Sequence, residues 1–255
     1  MSESLNTNIS VLIITLNEES QMQTLLSDLD FADEIIVVDS FSTDKTETIC
    51  KSFPKVKFYQ NQFENYPAQR NYAISLARNY WVLFLDADER LTTELKLEIL
   101  ETIQKNNTYI AFQFRRKFMF KNKVLHFSGC QNDKIYRLFH KKFASYDIKK
   151  LVHEKLITNG KTAVFKNKLI HYSYPNYATY KSKIIRYGKL KAHEKFKQNE
   201  HSAILIQYLH PVYNFLFNFI ARLGFLDGKK GIIICYLNAY SIFIRYQQLR
   251  ILNEN

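Results

Sequence analysis

The chain holds only six Gly and four Pro in 255 residues, which excludes collagen-like and low-complexity disordered classes. Its three cysteines, Cys50, Cys130 and Cys235, lie far apart with no CxxC spacing. A scattered, odd set excludes a disulfide framework and a thiolate zinc site, and reads as reduced thiols in a cytoplasm. No run reaches 18 uninterrupted apolar residues, so no transmembrane helix is expected. The opening MSESLNTNIS has no basic stretch ahead of an apolar run, so no signal peptide is expected.

What is present is a core-forming share of apolar residues, 46%, and a charge asymmetry. Residues 1–100 hold 8 Lys and Arg against 16 Asp and Glu, and residues 101–255 hold 28 against 8. An acidic half followed by a strongly basic half implies two tasks. The basic half calls for an anionic partner: nucleic acid, a phosphorylated substrate or an anionic membrane surface.

Hydrophobic periodicity organises the first hundred residues. Residues 9–19 (ISVLIITLNEE), 34–44, 56–60 and 80–88 read as strands, mostly buried. Residues 20–29, 43–53, 68–79 and 92–106 read as helices, the last capped by Thr92 or Thr93. This β/α alternation predicts an α/β fold with a mostly parallel sheet and helices on both faces. Beyond it, 109–120, 133–141 and 163–174 read as strands, and from 176 onward the chain reads helical, with apolar segments at 211–226 and 231–246. Parallel sheets bind ligands at the carboxyl ends of their strands. Thr15, Asn17, Glu18, Asp39, Asp44, Asp86 and Asp88 all lie at or just beyond those ends.

The sharpest feature is YWVLFLDADERLT at 80–92, an apolar strand that ends in Asp86, Asp88 and Glu89. Asp86-x-Asp88 offers hard oxygen ligands that suit Mg2+ or Mn2+ beside substrate phosphates. Taken alone, such a pair more often caps a helix or solvates a loop. The first turn, TLNEE, lacks the glycines of a dinucleotide fingerprint or a P-loop. A nucleotide here would be held by side chains, and its phosphates by a metal.

Four segments in this order, ISVLIITLNEE, FADEIIVVDSFSTDKT, NYPAQRNYAI and WVLFLDADERLT, resemble the GT-A glycosyltransferases of family 2. More narrowly they resemble bacterial lipopolysaccharide core β-glucosyltransferases, and LVHEKL (151–156), LIHYSYPN (169–176) and GFLDGKKG (224–231) extend the likeness along the chain. The resemblance implies a Rossmann-like GT-A domain with a helical C-terminal extension. It implies a UDP-sugar donor, most readily UDP-glucose, with Mg2+ or Mn2+ as cofactor. Thr15, Asn17 and Glu18 would line the uridine pocket, Asp39 would bind the uracil edge, and Arg70 would support the same pocket. Asp86 would face the ribose or a metal-bound water, and Asp88 would ligate the metal.

Each assignment has a plainer rival. Arg70 serves equally well as a brace onto nearby acids, and Asp44 reads as a helix cap. His171 would complete the metal site or touch the diphosphate, whereas a lone His after an apolar strand is commonly a satisfied core residue. Lys183 and Arg186 would touch phosphates or form a solvated helix face.

An inverting displacement needs a carboxylate to take the acceptor proton. Asp133, Asp147 and Glu154 are the candidates, and Glu154 in LVHEKL matches the family's position for this group, with His153 orienting it or meeting the acceptor. The family at large more often uses an Asp of a Glu-Asp pair, and a surface Glu paired with Lys155 is the alternative.

These readings divide the chain into a donor and metal half at 1–106, an acceptor half at 107–175 and a helical extension at 176–255. No nucleic-acid motif accompanies the basic and aromatic tail, so no nucleic acid is expected as partner. The tail reads as contact with an anionic membrane, or as a hairpin packed on the catalytic domain or a second copy. The expectation is a cytoplasmic enzyme on the inner face of the bacterial inner membrane, acting on a lipid-linked oligosaccharide, a heptose of the lipopolysaccharide inner core. Alternatives are transfer to another cell-envelope glycan, a nucleotidyltransferase, or a non-catalytic membrane-surface or nucleic-acid adaptor that retains the fold.

Overall fold

Ile9–Thr15, strand β1, buries six of its seven residues because it lies between two parallel neighbours and under helices on both faces. The computed structural model describes residues 8–105, 108–121, 123–131, 133–148, 155–174 and 177–254. Helix α1 (Glu19–Ser27) follows, then β2 (Glu34–Asp39), α2 (Thr46–Lys51), β3 (Val56–Gln60), α3 (Tyr66–Leu76) and β4 (Trp81–Phe84). The parallel order is β3-β2-β1-β4, with Thr15 opposite Asp39 and Asp39 opposite Gln60. The strand ends therefore share one edge, as the alternation predicted.

Period-two alternation sends the β1 side chains to two cores. Ile9, Val11 and Ile13 pack with Met22, Leu25 and Leu26 of α1 and with Leu95 and Ile99 of α4 (Thr93–Gln104). Leu12 packs with Ile36, Val38, Val82 and Phe84 against Ala73 and Ile74 of α3. Of the two caps expected for α4, Thr92 is the one used, accepting from the Leu95 N–H at 3.2 Å, whereas α3 starts two residues before the expected 68, where Asn65 accepts from the Ala68 N–H at 2.9 Å.

Past β4 the pairing turns antiparallel. The remaining strands are β5 (Glu89–Arg90), β6 (Tyr109–Phe120), β7 (Lys123–Leu125), β8 (Lys134–His140), β9 (Ala144–Tyr146), β10 (Leu156–Thr158) and β11 (Lys161–Tyr174). The large sheet runs β3-β2-β1-β4-β8-β6-β11-β5, with β7 paired to β6, and β9 and β10 form a separate ribbon. The two-residue β5 was not expected, and it matters most, because its pairing sets His171 opposite Glu89.

The chain forms two compact units, Met1–Arg116 with Lys134–His171, and Lys117–Asp133 with Tyr172–Asn255. The second gathers a hairpin from mid-chain with the C-terminal helices, because Phe118, Phe120 and Leu125 share a core with Tyr180, Ile184, Ile234 and Leu237. Its helices are α5 (Tyr177–Lys197), α6 (Ile204–Leu216) and α7 (Lys229–Glu254). The apolar segment 211–226, expected to be helical, is the end of α6, a π turn (Phe217–Ala221) and a 3-10 turn (Gly224–Asp227). The chain then passes closely by itself: a Cβ on Gly231 near the start of α7 would lie 1.8 Å from the Gly224 carbonyl oxygen, so this position admits only glycine.

Candidate active site

The site is built at the carboxyl edge of the parallel strands, within the first unit. Thr15 ends β1 buried, and its hydroxyl has no hydrogen-bond partner among the described residues. An orphaned buried hydroxyl at a ligand-binding edge is the kind of group a ligand satisfies. Next to it in register, Asp39 is fully buried and accepts from Ser42, from its N–H at 2.7 Å and its hydroxyl at 2.5 Å. A carboxylate has about four acceptor positions, so this turn leaves capacity for a base N–H.

The two loops beyond these strands brace each other. Asn17 is in the left-handed region at φ 56°, its N–H donates to the Ser42 hydroxyl at 2.7 Å, and its side-chain oxygen accepts from the Thr43 N–H at 2.8 Å. Glu18 stands at the start of α1, where its N–H donates to the Thr46 hydroxyl at 2.9 Å. Asp44 accepts from the Thr46 N–H at 2.9 Å and the Glu19 N–H at 3.0 Å, so it caps the starts of α1 and α2 together.

Beyond β4 the chain makes a tight turn through Asp86, Ala87 and Asp88. Asp86 is clamped: Arg70 donates to one oxygen at 2.8 Å and Arg137 contacts the other. Burial alone would raise the Asp86 carboxyl, but the guanidinium charges of Arg137 and Arg70 outweigh it and hold it well below the usual carboxylate range. Arg70 is itself fixed over the rings of Phe84 and Tyr146, at 4.5 and 5.4 Å. Of the two readings open for Arg70, the brace onto an acid is the one observed.

Glu89 is fully buried and closes the turn from below, accepting from the Asp86 N–H at 3.1 Å and from Arg137 at 2.8 Å, with Arg116 at 3.8 Å. Arg90 donates to the Ala87 and Glu89 carbonyls, both at 2.7 Å, and to the Gln21 carbonyl of α1 at 3.0 Å. Asp86 and Glu89 are engaged by arginines, and Asp88, like Asp86, is partly exposed. His171 Nε2 on β11 lies 3.2 Å from Asp88 Oδ2. The expected metal pair, 83 residues apart in sequence, is thus adjacent.

Sequence reasoning missed Arg137, the largest fully buried side chain, together with Glu89 as its partner, Arg116 and Arg90. The available signal was an Arg in DKIYRLFH whose neighbours on the strand are apolar or aromatic. Lys183, half-buried, and Arg186, exposed, lie on α5 in the second unit. Glu154 and His153 lie outside the described residues.

A family model described as Glycosyl transferase family 2 matches residues 10–187. The chain belongs to this family. An uncharacterized glycosyltransferase of Rickettsia bellii is 31% identical over 262 residues, covering 98% of this chain and 88% of its own length. The lipopolysaccharide core biosynthesis glycosyltransferase LpsC of Rhizobium meliloti is 23% identical over 250 residues, 93% of each chain. Among solved structures, S. aureus TarS in complex with UDP superposes with a TM-score of 0.46 at 18% identity, covering 96% of this chain and 90% of that one. The observed α/β fold agrees with the GT-A expectation.

Proposed function

We propose that this glycosyltransferase moves glucose from UDP-glucose to a heptose of the lipopolysaccharide inner core, with inversion at the anomeric carbon. The observation that carries the reading is the Asp88–His171 pair, 3.2 Å apart at the strand edge where Thr15 and Asp39 also end. One carboxylate oxygen and one imidazole nitrogen suit Mn2+ or Mg2+. No group of three or more His, Cys, Asp or Glu that could hold a metal occurs among the described residues, so phosphate oxygens and water would fill the remaining positions. When bound, the cation supplies neutralisation of the charge that builds on the departing diphosphate.

The chain's own groups divide the rest of the work. Thr15, Asn17, Glu18 and Asp39 hold the uridine by side-chain hydrogen bonds in place of a glycine-rich loop. Arg70 and Arg137 fix Asp86 as a charged acceptor for a ribose hydroxyl. Glu154 takes the proton of the acceptor hydroxyl as it attacks in line, and His153 orients it. Lys183 and Arg186 meet phosphates. The acceptor reading is supported by the likeness to LpsC over nearly the whole of both chains. A lipid-linked acceptor on the cytoplasmic face of the inner membrane also accounts for the basic second half, which would meet anionic lipid.

The test is calorimetric titration with UDP-glucose, with and without Mn2+, in the wild type and Asp88→Ala. Metal-dependent binding that the substitution abolishes supports the reading, and other UDP-sugars in the same cell test glucose. Failure of every UDP-sugar under every metal condition would sink it.

A further inference from the structure

Helix α6 and the π turn after it are inside out. The buried positions are Gln207, Pro211 and Asn218, with Gln207 at 3% and Asn218 at 5% exposure. Their stripe carries polar contacts: Gln207 Oε1 accepts from Arg250 at 3.1 Å, His210 Nδ1 lies 2.9 Å from the Tyr246 hydroxyl, and Asn218 donates to the Asn214 carbonyl at 2.9 Å. The outward positions are Leu205, Leu209, Val212, Tyr213, Leu216 and Ile220, with exposures from 47% to 63%. Their three- and four-residue spacing makes them one stripe, about 27 Å long over the 18 residues of Ile204–Ala221. A helix in water has the opposite arrangement, and an apolar patch of this extent marks an interaction surface.

We infer that this face beds into the interfacial layer of a phospholipid bilayer with anionic headgroups, α6 lying in the plane of the membrane. Three observations choose that occupant over a second copy of the chain. From Ser202 to Ala221 there is no Asp, Glu, Lys or Arg, so nothing charged would enter the acyl boundary. Arg222 and Lys229 just beyond it are exposed, and residues 177–254 carry 12 Lys and Arg against four Asp and Glu. A second copy would bring the same positive charge to the contact, whereas anionic headgroups neutralise it. Tyr208 and Tyr213 are exposed on this segment, the residue type that favours the headgroup level. No helix among the described residues is long and apolar enough to cross a membrane, so the contact lies in the plane. The inference deepens the membrane partner of the proposed function and in that respect rests on that reading.

The test is flotation of the full chain with vesicles of phosphatidylethanolamine and phosphatidylglycerol, against phosphatidylcholine alone. Wild type is expected to float with the anionic vesicles. Leu205→Glu, Val212→Glu and Leu216→Glu combined should lower the partition at least about tenfold, with the melting curve and UDP-glucose titration unchanged. Should that variant not fold, Ile220→Glu alone is to show the same direction. Tyr213→Trp adds a reporter that brominated lipids should quench beyond any change seen in the wild type, whose sole tryptophan is Trp81. Absence of flotation, equal flotation of the glutamate variants, or a vesicle-free dimer that the glutamates dissociate would each overturn the inference. Failed donor titration with intact vesicle binding would remove the reaction reading and leave this one standing.

Discussion

Arg137 Nη2 and Glu89 Oε1 form an ion pair at 2.8 Å that water does not reach, the two side chains being 1% and 0% exposed. The same guanidinium contacts Asp86, whose N–H returns to Glu89. Burial alone would lower the Arg137 pKa, but Asp86 and Glu89 outweigh it and hold the guanidinium charged. The turn that carries Asp88 is therefore locked by charge before any substrate arrives, the preorganisation that the proposed metal and diphosphate site would need.

Removing one partner of such a pair leaves the other buried and uncompensated. Arg137→Met is expected to cost about 3–5 kcal/mol in urea unfolding. Arg137→Met with Glu89→Leu is expected to recover part of that loss, since the fully buried Glu89 carboxylate goes with its partner. A single-variant loss below about 1 kcal/mol would mean that the turn relaxes freely.

The parallel half of the fold was legible because its signal is local: β-branched runs, helical spacing and the cap at Thr92. Asp88 was legible as a candidate metal ligand from its spacing to Asp86, and His171 only through resemblance; their adjacency depends on β5, two residues long, which no periodicity reveals. Arg137 was illegible for a different reason. A buried arginine breaks the apolar rule, and its two acids come from another strand end, so only tertiary pairing explains it. The inverted α6 looked from sequence like an interrupted apolar helix, because hydropathy does not say which face is turned inward.

The Asp88–His171 contact yields a prediction about metal affinity. Whether the imidazole ligates the cation or orients the carboxylate, losing it should weaken Mn2+ by about 10–100-fold. His171→Ala titrated with Mn2+ in the presence of UDP tests this. Unchanged affinity would return His171 to the role of a core histidine on β11.

Glu154 separates chemistry from binding. Glu154→Gln keeps shape and hydrogen-bonding capacity but not basicity, so kcat is expected to fall by about 10²–10⁴-fold. The UDP-glucose dissociation constant should stay at the wild-type value if Glu154 meets the acceptor, as proposed, and not the donor. A weakened donor titration with normal kcat would assign Glu154 to the nucleotide pocket and leave Asp133 and Asp147 as candidate bases.

Acid stability tests a pairing remote from the site. Glu34 at the start of β2 accepts from the Ser10 hydroxyl and the Arg78 N–H, both at 2.6 Å, and from Lys57 at 2.8 Å. Burial alone would raise this carboxyl, but the bonds from Lys57, Ser10 and Arg78 outweigh it and hold it below its ordinary 4.5. A depressed folded-state value means that the unfolded chain binds the proton more readily, so Glu34 contributes stability above about pH 4.5 and loses it as pH falls through the folded value. Glu34→Gln should therefore be less stable at neutral pH, by about 1–3 kcal/mol, and its stability should fall less steeply below pH 4.5. Urea midpoints measured from about pH 3 to about pH 7 check both arms. Parallel curves for the two proteins would show that acid sensitivity arises from other carboxylates, with the Arg-clamped Asp86 next in line.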